Sequence, residues 1–439
     1  MLNLMKKMNG VQCSCGKVHS FDSEIYSGVG AIKNLASALS KLGAKKVFVL
    51  ADKNTFAVGG KQVTEILEAE KIPFSKFIYP KSPKPDEKGL GDAVIHCPCD
   101  ADTVIAIGSG VINDIAKILT ATGNKNYVIV ATAPSMDGYA STSSSMCRAG
   151  LKVTIASKSA EVIIGDTDIL KTAPIKMMVS GIGDMLAKYV SICEWRLSNL
   201  ITGEYYCEKI AELIRLALHA CIKAAKNIEE RDSDSVSALF DGLIIGSVAM
   251  NYAGISRPAS GAEHYISHIV DMRSEEFGTP ADFHGIQCAI GTYNAVCLYE
   301  DLKSEAFDYT RGTQYAAAFN LDLWFEKLRA LLGKGAESMI ALEKKEGKYD
   351  IRSHASRLRF IVENKDKILE IINQELPTIK ELDDLYETVG IPKSLTEIGT
   401  PRELLPDVLS ASKDIRDKYV LPRLLWDLGI LDDYAKKMK

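Results

Sequence analysis

Three of the seven histidines in the chain lie close together, at positions 264, 268 and 284. His264 and His268 are four residues apart, a spacing that places both rings on one face of a helix. Two imidazoles with a third nearby are typical ligands of a divalent transition metal. A single histidine is more often a surface or satisfied core residue. The three together, the last of them within Phe283-His284-Gly285, favour a metal site.

A carboxylate at position 184 is a second candidate. Asp184 follows Gly181-Ile-Gly and precedes Met-Leu-Ala, so small and apolar residues surround it in sequence. A carboxylate buried in such surroundings needs a metal, an arginine or a lysine as its partner. The alternative is an ordinary helix N-cap, and the local sequence does not separate the two.

A glycine turn at positions 108–110 is typical of an anion site. Gly108-Ser-Gly110 follows the apolar run 102–107 and precedes residues 111–119, which have helical periodicity. Free N–H groups at a helix start favour phosphate, and glycines let a ligand approach the backbone. The third glycine of the ordinary dinucleotide motif is absent, and a turn used only for packing is the alternative. Asp52, at a predicted strand end, would bind a ribose hydroxyl or cap a helix.

Two cysteine pairs offer a different metal chemistry. Cys13-Ser-Cys15 lies near His19, and Cys97-Pro-Cys99 follows His96. A structural zinc site would require the two pairs to meet, and the C-x-C spacing is less usual than C-x-x-C.

The composition indicates an ordinary globular protein. The chain has 439 residues, 46% of them hydrophobic and 25% charged, with a net charge of −4. That charge argues against nucleic acid or an anionic membrane as the partner. The sequence shows neither an apolar run long enough to insert into a membrane nor the core of a signal peptide. We therefore expect a cytoplasmic protein whose ten cysteines are reduced thiols.

The order of predicted elements indicates two domains. Residues 1–170 alternate apolar runs with helical patterns, which predicts an α/β domain with a mostly parallel sheet. The strands are predicted at 46–51, 102–107 and 127–132, with a β-ribbon over 151–170. Residues 171–439 have helical periodicity throughout and predict an all-α domain.

The motifs occur in an order that resembles a known superfamily. They are the Gly-Ser-Gly turn with Asn113-Asp114, Thr132–Ser141, Gly181-x-Gly-Asp184-x-x-Ala-Lys188, Ser256–His268 and His284-Gly-x-Gln287. This set is similar to the iron-containing alcohol dehydrogenases, glycerol dehydrogenases and dehydroquinate synthases. Within that superfamily the chain most resembles the bacterial sn-glycerol-1-phosphate dehydrogenases, from about residue 12 to about residue 432. Leu395–Gly399 and Lys413–Tyr419 also resemble that branch.

The resemblance implies an active site in a cleft between a nucleotide-binding α/β domain and a helical domain. It implies one divalent metal, zinc, nickel or iron, held by Asp184, His264 and His284. It places the substrate against Asp137, Asp184 and His268. It places NAD or NADP against Asp52, Gly108, Gly110, Val111, Ile112, Asn113, Asp114, Thr132, Ala133, Pro134, Ser135 and Ser141. Ser109 departs from the glycine found in many members, which leaves the choice of nicotinamide cofactor open.

The implied reaction is the reversible reduction of dihydroxyacetone phosphate to sn-glycerol 1-phosphate. The enzyme is expected to be a homo-oligomer, specifically a dimer. A ketone accepts hydride when the charge growing on its oxygen is stabilised, and the oxygen then needs a proton. We interpret His268 as the catalytic proton relay, and Arg257 and Lys188 as candidate phosphate ligands. The alternatives are a glycerol dehydrogenase, a dehydroquinate synthase, or a nucleotide-binding protein without catalysis.

Overall fold

The computed structural model describes residues 2–148 and 151–439. The chain divides into two compact units. The first unit comprises Met1–Met185 and Glu212–Ile255, and the second comprises Leu186–Ala211 and Ser256–Lys439. Each unit therefore takes two separate segments of the chain, whereas the sequence predicted a single boundary near residue 170.

The first unit is built on a parallel sheet. Its strands are β1 (Glu24–Gly28), β2 (Val47–Asp52), β3 (Phe74–Tyr79), β4 (Thr103–Gly108), β5 (Asn126–Ala131) and β8 (Val162–Asp166), and β6 (Ser143–Arg148) and β7 (Leu151–Ala156) form a separate pair. The order across the sheet is β1-β8-β5-β4-β2-β3, and every neighbouring pair is parallel. This confirms the predicted parallel sheet. The central strands are buried along their whole length, as expected for a parallel sheet covered on both faces.

The remaining elements are helices. The α-helices through Ala253 are α1 (Leu2–Met8), α2 (Leu35–Leu42), α3 (Lys53–Thr55), α4 (Lys61–Ala69), α5 (Glu87–His96), α6 (Gly110–Gly123), α7 (Thr167–Leu170), α8 (Ile175–Thr202), α9 (Glu208–Ala225) and α10 (Ser233–Ala253). Those that follow are α11 (Ala262–Phe277), α12 (His284–Lys303), α13 (Tyr309–Ala318), α14 (Leu321–Leu332), α15 (Gly335–Glu346), α16 (Ile351–Glu363), α17 (Lys365–Glu375), α18 (Ile379–Val389), α19 (Leu405–Ser412), α20 (Leu421–Asp427) and α21 (Leu431–Ala435). A short π-helix spans Phe56–Gly60, and 3₁₀ helices span Ala31–Asn34, Ile228–Glu230, Arg257–Ala259, Leu395–Ile398 and Arg402–Leu404.

The predicted β-ribbon is wrong in its second half. The ribbon is formed by β6 and β7, which pair antiparallel from Ser143↔Ala156 to Arg148↔Leu151. Val162–Asp166 instead lies in the main sheet, between β1 and β5. All five of its residues are buried, which is the pattern of an inner parallel strand and not of a hairpin arm.

Alternate residues of the sheet face one apolar cluster. Side chains of a strand point to opposite faces in turn, so residues two apart share a face. Val47 and Val49, Ile105 and Ile107, and Val128 and Val130 accordingly lie in one core, with α2 and α4 packed over it. This packing holds the carboxyl ends of β2, β4 and β5 at one edge, where the turns that follow them begin.

Among the described residues, α10 is the one helix long and apolar enough to cross a membrane. However, 72% of its apolar window is buried inside the protein, as in the core helix of a globular domain. It contacts β1 and α7, and a Cβ on Gly165 of β8 would overlap its Phe240 ring. These contacts explain why Glu212–Ile255 belongs to the sheet-containing unit.

Candidate functional site

The turn after β4 is open to a ligand at one glycine and closed at the other. A Cβ on Gly108 would lie 2.5 Å from the Cβ of Ile112, so a larger residue does not fit there. A Cβ on Gly110 would meet no protein atom closer than 3.8 Å, in Met136. Gly110 is the first residue of α6, where backbone N–H groups lack helical acceptors. The geometry suits an anionic group such as a nucleotide phosphate.

The segment after β5 is bonded to this turn. The hydroxyl oxygens of Ser109 and Ser135 lie 2.6 Å apart, and the Asn113 side-chain amide donates to the Gly138 carbonyl at 3.1 Å. Tyr127 of β5 donates its hydroxyl proton to Asn113 Oδ1 at 2.7 Å. The structure thus brings together the predicted cofactor residues of 108–114 and 132–141 within the first unit.

Lys117 is a central residue that the sequence interpretation missed. Its buried ammonium donates to the Gly138 carbonyl at 2.6 Å, Ser141 Oγ at 2.8 Å and the Ser143 carbonyl at 3.1 Å. Burial lowers the pKa of Lys117 to about 8, while the charges of Asp114 and Asp137 act in the opposite direction. A lysine one turn after Asn113-Asp114, in an otherwise apolar helix stretch, was the signal available in the sequence.

Asp184 contacts the Asp137 segment. The Asp137 N–H donates to Asp184 Oδ2 at 2.9 Å, and Asp184 is fully buried. Asp184 lies inside α8, so the N-cap alternative is wrong. A Cβ on Gly181 would overlap the Pro134 carbonyl oxygen, so this glycine allows α8 to approach the 132–137 segment closely.

Asp52 is a helix cap. Its Oδ1 accepts the N–H groups of Asn54 and Thr55, both at 2.9 Å, and the Thr55 hydroxyl bonds back to complete a capping box. The structure therefore supports the capping alternative for this carboxylate, and a ribose contact by Asp52 stays a prediction.

The three histidines converge in the second unit. His264 and His268 lie on α11, and His284 is the first residue of α12. The ring centres of His264 and His284 are 5.1 Å apart, and those of His268 and His284 are 6.1 Å apart. A Cβ on Gly291 would lie 2.6 Å from the Glu263 carbonyl oxygen, so this glycine permits the close packing of α11 on α12.

The Nδ1 atoms of His264 and His284 are hydrogen-bonded to neighbouring side chains. His264 Nδ1 lies 2.8 Å from Glu263 Oε1, and His284 Nδ1 lies 3.1 Å from Ser267 Oγ. Because a carboxylate only accepts, the His264 Nδ1 carries the proton and its Nε2 presents a lone pair. A carboxylate behind a histidine in this way is the usual support of a metal ligand.

Glu263 is itself fixed by a buried acidic network. Its Oε1 accepts the Gly261 N–H at 2.7 Å, while Glu194 accepts the N–H groups of Ala262 at 2.9 Å and Leu421 at 2.8 Å. Burial, followed by the charge of Glu263, raises the pKa of Glu194 to about 8. The sequence motif contained Glu263, but no role was assigned to it or to Glu194.

Cys288 is a further residue of the histidine cluster. The ligand atoms of His264, His284 and Cys288 lie within 4.8 Å of one another, and the Cys288 thiol is 3.5 Å from His284 Nε2. Burial raises the pKa of this thiol, but the combined effect of His264 and His284 lowers it by more, so the net shift of the pKa is downward. Cys288 is one helical turn after His284, a spacing visible in the sequence.

The proposed phosphate ligands are engaged elsewhere. Arg257 is fully buried, donates to Glu204 Oε1 at 2.9 Å and reaches the Tyr419 carbonyl at 2.9 Å. Lys188 is also fully buried and donates to the Ala259 carbonyl at 3.2 Å. These contacts give both cations a structural role and leave the phosphate prediction without support.

The predicted ligands are thus distributed over both units. Asp137, Asp184 and the predicted cofactor residues belong to the first unit, and His264, His268 and His284 belong to the second. His264 and His284 each have a hydrogen-bonded Nδ1 atom, which leaves their Nε2 atoms suited to a divalent metal. The open glycine turn at Gly110 is suited to a nucleotide phosphate.

The family model of the iron-containing alcohol dehydrogenases matches residues 26–174 of this chain. A solved glycerol dehydrogenase from Schizosaccharomyces pombe has the same fold, with a TM-score of 0.62 and 16% identity over 96% of this chain and 92% of that one. The glycerol-1-phosphate dehydrogenase (NAD(P)+) of Halalkalibacterium halodurans is 27% identical over 96% of this chain and 97% of its own length. The enzyme of the same name from Bacillus velezensis is 32% identical over 64% of this chain and 73% of its own length. The chain belongs to the glycerol-1-phosphate dehydrogenase family, which confirms the resemblance and the predicted fold class.

Proposed function

We propose that this protein catalyses the reversible NAD(P)H-linked reduction of dihydroxyacetone phosphate to sn-glycerol 1-phosphate. The names of the relatives support this activity, and the 27% identity extends over nearly the whole chain. The observation that carries the proposal is the pair His264 and His284, whose Nδ1 atoms are bonded to Glu263 and Ser267. Such support orients both Nε2 atoms as ligands, which an inactive nucleotide-binding protein would not need.

His264, His284 and Asp184 are the proposed metal ligands. One divalent ion bound there would act as a Lewis acid toward the substrate ketone. Two neutral imidazoles and one carboxylate leave net positive charge for that role. Zinc, nickel and iron all suit this donor set.

The nucleotide residues position the hydride donor. The α6 N-terminus and Gly110 bind the phosphates, and the 132–141 segment, bonded through Lys117, lines the same site. Reduced nicotinamide, when bound there, would supply the hydride to the ketone carbon, and the ketone oxygen would take a proton from the protein. Asp137 serves the hydroxyl end of the substrate, because a carboxylate would repel the phosphate.

His268 is the proposed proton relay. Its ring lies 6.1 Å from that of His284 and stays partly accessible, one turn beyond His264. Replacing His268 by alanine is expected to lower kcat about 100-fold, the usual contribution of one general acid. Elemental analysis of the variant should show unchanged metal content. Wild-type turnover, or loss of the metal, would remove the relay from the mechanism.

The direct test is NADH and NADPH oxidation by metal-stripped protein reloaded with zinc, nickel or iron in turn. Dihydroxyacetone phosphate should be reduced at a much higher kcat/KM than free dihydroxyacetone, and the product should be the sn-1 isomer. A preference for free dihydroxyacetone would indicate a glycerol dehydrogenase. Turnover without net oxidation of the nucleotide would indicate a dehydroquinate synthase. The absence of turnover with every metal would refute the proposal.

We also propose that the protein is cytoplasmic and that it forms a homodimer. The described part of the chain contains no disulfide between its cysteines, and the proposal of a cytoplasmic location rests on the expectation that these thiols stay reduced. Light scattering on the eluted peak of a sizing column measures the oligomeric state, and a monomer at working concentration would contradict the dimer.

A further inference from the structure

A small hairpin near the N-terminus presents two cysteines at its tip. Gln12 and Val18 form an antiparallel bridge, and the Cys13 N–H donates to the Lys17 carbonyl at 2.9 Å. The Gly16 N–H donates to the Cys13 carbonyl at 3.0 Å, and Gly16 has a φ of +87°, which favours glycine. The sulfur atoms of Cys13 and Cys15, both in this turn, lie within 4.8 Å of each other.

His19 directly follows the hairpin and is only 1% exposed. Its Nδ1 lies 2.8 Å from the Tyr252 carbonyl oxygen, and its Nε2 lies 3.5 Å from Cys15 Sγ. Because a carbonyl only accepts, Nδ1 carries the proton and the Nε2 lone pair faces the thiols. A histidine whose Nδ1 is hydrogen-bonded to a carbonyl has its Nε2 oriented as a metal ligand.

The distance between the Cys15 sulfur and the His19 Nε2 atom matches one edge of a coordination tetrahedron. The ligand atoms of Cys13, Cys15 and His19 all lie within 4.8 Å of one another. Zinc bonds of about 2.3 Å to sulfur and about 2.05 Å to nitrogen at tetrahedral angles give a sulfur–nitrogen edge of about 3.6 Å. The observed separation of Cys15 and His19, 3.5 Å, agrees with this edge.

We propose that Cys13, Cys15 and His19 bind a structural zinc ion that is distinct from the proposed catalytic metal. Two thiolates and one imidazole are soft and borderline donors that select zinc, whereas the catalytic set contains imidazole and carboxylate. These three donors leave one tetrahedral position for a fourth ligand. Cys97 and Cys99 are not among the described residues of this cluster, so the site proposed here does not require the two cysteine pairs to meet.

The site would fasten the N-terminal segment to α10. His19 and Lys17 bond the carbonyls of Tyr252 and Ala253, the last two residues of that helix, and the Tyr252 hydroxyl donates to the Met5 carbonyl at 2.9 Å. An ion held at His19 would therefore stabilise residues of α1, the hairpin and the helix end as one group. Its role is structural, and the assay of dehydrogenase activity does not report on it.

The test is metal content of the full-length protein expressed with zinc, measured by mass spectrometry. The wild type should contain about one zinc ion per chain in addition to the catalytic metal, and Cys13→Ser/Cys15→Ser should lack that ion. Cys99→Ser, an exposed cysteine outside the cluster, is the matched control and should retain it. The double variant should also unfold at a lower temperature than the control.

Cobalt substitution keeps the test valid if the double variant folds poorly. Wild-type protein and Cys288→Ser, each loaded with cobalt, should both show a near-ultraviolet thiolate-to-cobalt band, because the N-terminal thiols remain. Cys13→Ser alone should weaken that band. A band lost only in Cys288→Ser, equal zinc in the double variant and the wild type, or a Cys13–Cys15 disulfide in freshly isolated protein would each overturn the proposal.

Discussion

Replacing His264 by alanine is expected to lower kcat/KM for dihydroxyacetone phosphate by at least about 1000-fold. A Lewis acid contributes several kcal/mol to the stabilisation of charge on a ketone oxygen, and each factor of ten in rate corresponds to about 1.4 kcal/mol. His264 is the proposed metal ligand whose orientation the structure supports most strongly, through the 2.8 Å contact with Glu263. Metal content should fall together with the rate, as measured by elemental analysis and steady-state kinetics.

His219→Ala is the matched control, because His219 also lies on a helix but is exposed. It should keep both metal and rate. Glu263→Gln should give an intermediate result, with metal affinity reduced about 10- to 100-fold, as expected when the residue behind a ligand is changed. Full metal content in His264→Ala would show that the imidazole is not a ligand.

Replacing Lys117 by methionine is expected to destabilise the protein by about 3 kcal/mol, because hydrogen bonds to a charged group contribute about 1.5–3 kcal/mol each. The loss is limited because Asn113 and Ser141 still donate to the two carbonyls that Lys117 contacts. The ammonium donates to the half-buried carbonyls of Gly138 and Ser143 and to Ser141 Oγ. The 132–141 segment should also lose its bonding to α6, so nucleotide affinity should fall. Thermal unfolding and fluorescence titration with NADH measure the two effects.

The control for this substitution is Lys61→Met on the exposed face of α4, which should change stability by less than about 0.5 kcal/mol. The wild type should also become more stable relative to Lys117→Met as the pH rises from about 8 toward 10.5. In that range the buried lysine has lost its proton while the unfolded one retains it. A difference in stability that does not change with pH would contradict the lowered pKa.

Local patterns determined most of the fold and part of the site. Apolar runs ending in polar residues predicted β2, β4 and β5, because a buried parallel strand must be apolar on both faces. Val162–Asp166 is also a buried parallel strand, but its neighbours in the sheet lie far away in sequence, so its local pattern does not specify its place in the sheet. The spacing of His264 and His268 predicted a shared helix face, and both do lie on α11.

Other roles depend on contacts between distant segments, which residue spacing does not specify. The sequence made Arg257 a candidate phosphate ligand, whereas the structure shows its guanidinium hydrogen-bonded to Glu204 and to the Tyr419 carbonyl. Lys117 looked like one more helix residue, yet its ammonium is bonded to three groups of the 138–143 segment. In each case the physical reason is burial, because a buried charge is held by whichever acceptors the fold brings to it.

The histidine cluster shows both sides of this division. The sequence by itself determined that His264, His268 and His284 are near one another and that two share a helix face. Only the tertiary structure decided that Glu263 and Ser267 bond the Nδ1 atoms of His264 and His284, and that Cys288 lies beside them. Helix periodicity is a local property, whereas the lone pair that an imidazole presents depends on the partner of its other nitrogen.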